Sequence, residues 1–349
     1  MIRETHFRPF HRFPATRLPF GFRKGLFTPL LTVSLLLCGI LFCPAVSMAA
    51  TPTTPSELLD AGRADEAIRL LTPQATGNNA AALNYLCRVY FALEDWDNAI
   101  HNCERAAQLD SGNAVFQLWL GRSYGQKANS AGPLSAYSFA RKTVAAFIAG
   151  HTLDRHNIDL ARDLAEYFST APSVVGGGGD KALSLAAEIA SEHPSDAAWI
   201  RAMAAAHEGQ NEHAESEYNE SIRLDHYSAG TYIELARHLR GRKLWDRFQQ
   251  TIGLATSATH IRPVDRYDAA ELLLSTNRDL NGAAQQMRAY IQSGRTEEAA
   301  PLFRAHFLLG EILQKSGDTA QAAGEYRAAL ALASSYRPAS EALHRLGQR

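Results

Sequence analysis

The sequence predicts an all-α protein, an α–α superhelix of about six to seven stacked helix pairs with one further helix closing its C-terminal end. Three observations lead there. Period-two runs of Val, Ile and Thr, the mark of half-buried strands, are missing, although apolar content is an ordinary 46%. Segments such as Asp159 to Phe168 set apolar side chains three and four positions apart, on one helical face. The chain also repeats itself at an interval of thirty-four residues: Leu86-Cys87 recurs as Leu120-Gly121, and Tyr90 as Tyr124.

Residues 1–50 stand apart from this pattern. Six basic residues, from Arg3 to Lys24, precede an uncharged run from Leu26 to Val46, and Ser47-Met48-Ala49-Ala50 follows. Basic, apolar, then small is the order of a secretory signal peptide, with cleavage expected after Ala49 or Ala50. The apolar run is also long enough to span a bilayer as an uncleaved anchor. Leu37 and Phe42, before Cys38 and Cys43, are too large for lipid attachment at either cysteine. Residues 51–349 are therefore expected outside the cytoplasm, in a periplasmic or otherwise exported compartment, anchored in the inner membrane if the run is retained. Without residues 1–50 the net charge moves from −1 to −6, which disfavours general binding of nucleic acid.

Within 51–349 the first helix of each unit reads Leu83, Leu86, Cys87, Tyr90; Gln117, Leu120, Gly121, Tyr124; Tyr232, Leu235, Ala236, Leu239; and His306, Leu309, Gly310, Leu313. The second helix reads Ala67 with Leu71, Ala99 with Cys103, Ala182 with Ala186, Ala214 with Tyr218, and Ala322 with Tyr326. Gly62, Gly209 and Gly317 each stand five residues before the alanine and mark the turn. The pattern resembles the tetratricopeptide repeat, a helix-turn-helix unit in which a small residue of one helix admits a large one from its partner. The first helix of residues 197–228 is a weak match, and in 264–292 Glu271 falls where a small residue is expected. Pro338 to Leu346 forms a final helix without a partner, in the place of a polar cap.

One stretch breaks the interval. Fourteen residues separate Phe168 from Ala182 where about nine are expected, and the surplus contains Gly176 to Gly179. A phosphate loop needs Gly-Lys followed by Ser or Thr at a helix start. Here Asp180 precedes Lys181 and Ala182 follows it. Residues 171–181 therefore read as an insertion between the two helices of one repeat, with Pro172 ending the first and Asp180 capping the second.

His207 and His213 are six apart and straddle Gly209, so they cannot share a helical face as the H-E-x-x-H zinc motif requires. No nucleophile elbow, C-x-x-C or paired-carboxylate pattern is present, and neither catalytic residues, metal nor cofactor is expected. In the repeat register Cys87 and Cys103 are neighbours across a helix pair. In an oxidising compartment they are candidates for a disulfide, the alternative being two buried thiols.

The resemblance implies a scaffold that binds a peptide or partner protein in a concave groove lined by first helices. Arg88, Arg122 and Arg237 each follow the small residue of a first helix and are expected to face that groove, with Asn84, Trp119, Ile233 and Arg240 on the same faces. Arginine in such a groove would suit a carboxylate-bearing partner. The alternative is that these arginines are satisfied by nearby acids. Membrane contact is expected only if the N-terminal segment stays uncleaved. Two other readings stand beside this one: a membrane-anchored scaffold of an envelope machine, and an enzyme or glycan-binding module of the envelope.

Overall fold

The computed structural model describes residues 54–347. The leader, its cleavage site, Cys38 and Cys43 lie outside the described residues. The chain is an all-α superhelix of eight helix pairs, with no strand among the described residues beyond one isolated bridge between Glu297 and Ala300. The pairs are α1 (Pro55–Asp60) with α2 (Ala64–Ala75), α3 (Ala80–Ala92) with α4 (Trp96–Leu109), and α5 (Ala114–Ser130) with α6 (Pro133–Leu153). Then come α7 (Ile158–Thr170) with α8 (Gly179–Ile189), α9 (Pro194–His207) with α10 (Asn211–Leu224), and α11 (Ala229–Gly241) with α12 (Trp245–Ser257). Next are α13 (Pro263–Thr276) with α14 (Leu280–Gln292), α15 (Leu302–Lys315) with α16 (Thr319–Leu332), and the closing helix α17 (Arg337–Gly347). Of the first pair the sequence pattern marks the turn at Gly62 and the second helix at Ala67 and Leu71, but not the first helix, because α1, six residues long, is too short to carry it.

Local chemistry sets the helix starts. Asn79, Asp95, Asn113, Asn157, Asp279 and Asp318 each accept a hydrogen bond from a backbone amide in the first turn of the helix that follows. Between the helices of every pair but the third the chain passes through the left-handed region. Gly62, Gly209 and Gly317 supply that conformation, but Glu94 (φ 62°) and Lys243 (φ 60°) adopt it as ordinary residues.

The small residues do what the pattern implied. A β-carbon on Gly121 would lie 2.5 Å from the buried Phe147 ring, and one on Gly310 would lie 2.5 Å from Tyr326. In the seventh pair the small residue is Ala270, fully buried, rather than position 271. From that residue α13 runs one position further to its turn than α3, α9, α11 and α15 do from theirs, which shifts the register by one. Glu271 thus leaves the seam between α13 and α14. The weakly matching 197–228 unit contains a complete first helix, α9, whose packing rests on Ala198, Ala202 and Ala205.

The glycine-rich segment lies between α7 and α8, inside one pair. It is folded rather than slack. The Tyr167 hydroxyl stands 2.8 Å from the carbonyl oxygens of both Ala140 and Val175, which ties the segment to α6. Gly178 caps α8 with φ 155°, so Asp180 sits inside the first turn and makes no capping hydrogen bond. The helix starts earlier than the sequence suggested because the glycine, and not Asp180, turns the chain.

The two ends of the array meet. One buried apolar cluster runs from α5 to α17, while a second joins Leu58, Leu59, Val89 and Ala92 to Phe303, Ala333 and Tyr336. The turns at Gly62 and Glu94, on one edge of the first two pairs, rest on the connections 293–301 and 333–336, on the opposite edge of the last two. Arg88 donates to Glu298 (2.7 Å), the Glu298 amide to Asp60 (3.3 Å), and the Ser334 amide to Asp65 (2.9 Å). Tyr336 donates to Glu94 (3.1 Å), which also pairs with Arg304 (3.5 Å). A β-carbon on Gly62 would collide with the backbone nitrogen of Leu302. After one turn the superhelix closes edge on edge. Residues 54–347 thus contain a buried core that extends along the whole array.

Candidate functional site

Successive first helices pack on one another (α3 on α5, α7 on α9, α11 on α13, α13 on α15) and form the inner wall. The residue after the small one reads Arg88, Arg122, Glu166, Met203, Arg237, Glu271 and Glu311 along the array. The three arginines reach toward the next first helix, to the residue two before its small position. Arg88 lies over the Trp119 ring at 5.2 Å, Arg122 Nε stands 2.5 Å from Asp163, and Arg237 stands 3.7 Å from Asp268. Arg162 adds a parallel contact one turn back, over the Trp199 ring at 4.1 Å and paired with Asp196.

The residues expected to line an open groove are thus distributed unevenly. Asn84, Trp119, Arg122 and Ile233 are buried. The Arg88 and Arg237 side chains are 18% and 13% exposed and face Glu298 and Asp268 respectively. Arg240 remains partly exposed and donates to Ser275 (2.8 Å). The curvature needed for closure brings adjacent first helices close enough for an arginine to cross from one to the next. Those arginines are consumed in joining repeats. The acids that receive them, Asp163, Asp268 and Glu298, were not singled out in the sequence. For Asp268 the signal was there: it follows Arg237 by thirty-one residues, as Trp119 follows Arg88. The longer third pair stretches the same relation to forty-one for Arg122 and Asp163.

The middle of the wall gathers carboxyls whose ionisation burial opposes. Burial raises the Asp159 carboxyl to about 6, with Arg122 opposing the rise. Glu166 is pushed up to about 8, first by burial and then by Asp163 and Glu234, against the pull of Arg237 and Arg162. Asp163 is also raised by burial although Arg122 holds it. At the closing seam Arg304 is raised despite burial, because Tyr267, Tyr336, Glu94 and Glu271 surround it.

Cys87 and Cys103 are joined in a disulfide linking α3 to α4, with Cα atoms 5.3 Å apart and both residues fully buried. His207 ends α9 and His213 lies on α10, on opposite sides of Gly209. Among the described residues no group of three or more His, Cys, Asp or Glu could hold a metal. No helix among them is long and apolar enough to cross a membrane.

No family model and no curated protein matches the chain. Solved structures do. A tetratricopeptide repeat protein from Parabacteroides merdae matches at 14% identity and a TM-score of 0.38, covering 77% of this chain and 99% of that one. The C-terminal part of a TPR repeat-containing protein from Cytophaga hutchinsonii matches at 14% identity and a TM-score of 0.40, covering 83% and 98%. The APC/C hetero-tetramer Cut9-Hcn1 matches at 13% identity and a TM-score of 0.37, covering 84% and 70%.

Proposed function

We propose that the chain is an exported scaffold that holds a peptide or partner protein against its inner wall and performs no catalysis of its own. The observation that carries this reading is the wall itself: first helices of neighbouring pairs pack on one another at several points along the array, the form in which helical arrays present extended binding faces. The open part of that wall lies around Glu166, Met203, Glu234 and Arg240, all partly exposed. Since the arginines of repeats two, three and six are engaged between repeats, the carboxylate-bearing partner suggested by arginine positions alone loses its support. The Glu166 carboxyl, pushed up to about 8 by burial, stays largely protonated at neutral pH and can donate a hydrogen bond to a partner's carbonyl.

Export is supported by the order of residues in the leader, and an oxidising compartment by the Cys87–Cys103 bond. The test is a photo-crosslinking residue at Met203, with a second at the outward Leu254 as control, in protein exposed to envelope extract. A specific adduct at 203, weakened by Glu166→Lys with Glu234→Lys, is the expected result. Adducts only at 254, or capture that ignores both reversals, would remove the inner wall as the binding face.

A further inference from the structure

We infer that the tip of the α5–α6 hairpin is a lipid-contacting element that rests on an anionic membrane surface. The third pair is built unlike its neighbours. Its helices, seventeen and twenty-one residues long, are the longest of the described residues. At its tip Leu134 is 91% exposed and Tyr137 48%, and Val174 of the glycine-rich segment, 65% exposed, belongs to the element pinned against the same helix. The tip is an exposed, uncharged hairpin end carrying two large apolar side chains and not a groove, so it suits insertion between headgroups better than reception of a folded partner.

The charges around it agree with that occupant. From Ser111 to Leu153 the chain holds no Asp or Glu, although the domain as a whole is acidic. Residues 128–140 are uncharged, and Lys127, Arg141 and Lys142 stand behind them. Two of these have acidic partners on α4: Lys127 pairs with Asp97 (2.6 Å) and Lys142 with Glu104 (3.8 Å). Arg141 is exposed. The N-terminus of α6 points out at the tip, where Gly132 offers no capping side chain and the first turn has no acid. Its first-turn amides, left without a capping side chain, are therefore available to phosphate. Leu and Tyr at the level of the headgroups, with basic residues set back from them, is the arrangement of an interfacial contact.

The chain also supplies a reason for a bilayer to be near. The uncharged run Leu26–Val46 ends eight residues before Thr54, where the described fold begins. If that run is retained, the hairpin provides a second point of attachment. If it is removed, the hairpin is a contact that does not depend on it. A sequence reading that ties membrane contact to the N-terminal segment alone overlooks this element.

The inference is independent of the partner on the inner wall, and its test does not require export. Residues 51–349, freed of the leader so that its apolar run cannot insert, are sedimented with vesicles of phosphatidylcholine alone or mixed with phosphatidylglycerol. The expected result is co-sedimentation with the anionic vesicles that weakens as salt rises. Leu134→Glu combined with Tyr137→Glu should weaken it by roughly tenfold or more. Leu254→Glu, at an exposed leucine of α12, should leave it unchanged, and Arg141→Glu should lower both affinity and salt dependence. Thermal melts establish that each variant is folded. Wild-type protein that stays in the supernatant, or binding that survives the double substitution, or equal loss in Leu254→Glu, would overturn the inference. Capture of an acidic protein by the hairpin without vesicle binding would overturn it as well.

Discussion

Arg88→Ala should open the closing seam and destabilise the whole array. In the folded state the Arg88 guanidinium bridges both carboxylate oxygens of Glu298, with side-chain exposures of only 18% and 14%. The Glu298 amide in turn donates to Asp60, whose carboxyl is raised by burial and by Glu298 and lowered by Arg88. Removing the arginine leaves two neighbouring acids in a half-dry seam. Breaking a fully buried pair costs about 3–5 kcal/mol, and losing a hydrogen bond to a charged group about 1.5–3 kcal/mol. Since neither side chain is fully buried, about 2–3 kcal/mol is expected here. Arg88→Met with Glu298→Leu removes both charges and keeps apolar bulk, so it should recover to within about 1 kcal/mol of the parent. Urea unfolding measures both variants, and small-angle scattering reports whether the ends have separated. An open array frays from its terminal repeats, so Arg88→Ala should also show a larger radius of gyration. A loss below about 0.5 kcal/mol, or a double variant as unstable as the single one, would show that the seam does not hold the ends together.

Three further outcomes test the packing and the charge of the wall. Gly121→Ala should cost about 1–3 kcal/mol, because its methyl would press on the Phe147 ring, whereas Gly253→Ala, in open space on α12, should stabilise by about 0.5–1 kcal/mol; chemical denaturation checks both. Lys243→Gly should stabilise by about 0.5–1 kcal/mol in the same assay, since an exposed lysine holds a left-handed turn there without a partner that needs its side chain. Glu166 titrates near 8 when folded and lower when unfolded, so the folded state binds the extra proton between those values. Stability is therefore lost as pH rises from about 4.5 toward 8 and is level above that. Glu166→Gln should remove that slope and raise stability at pH 8 by more than about 1 kcal/mol, with little change near pH 4; parallel melts across pH decide it.

What could be read from the sequence was whatever one helix pair decides by itself. Gly121 and Gly310 had to be small because a partner ring occupies the space a β-carbon would take, and that partner lies within the same unit. Cys87 and Cys103 were placed as neighbours by the same short-range register. The inner wall was harder, because a side chain there answers to the next repeat: Arg122 and Arg237 stand where the register put them, yet their surroundings are Asp163 and Asp268, one unit further on. Hardest was the closure, which sums small rotations over eight pairs and brings Arg88 to Glu298 across most of the chain. One residue did carry a trace of it. At the turn where other pairs use Gly62, Gly209 or Gly317, the second pair has Glu94 in the same left-handed conformation. An acid there gives up conformational ease for reach, and its carboxylate reaches Tyr336 and Arg304. Lys243 holds the same conformation in the sixth pair without such a contact, so the charge alone is not the signal; it is the carboxylate of Glu94, placed where the last repeat returns, that ties the turn of the second pair to Tyr336 and Arg304 and holds the ends of the array together.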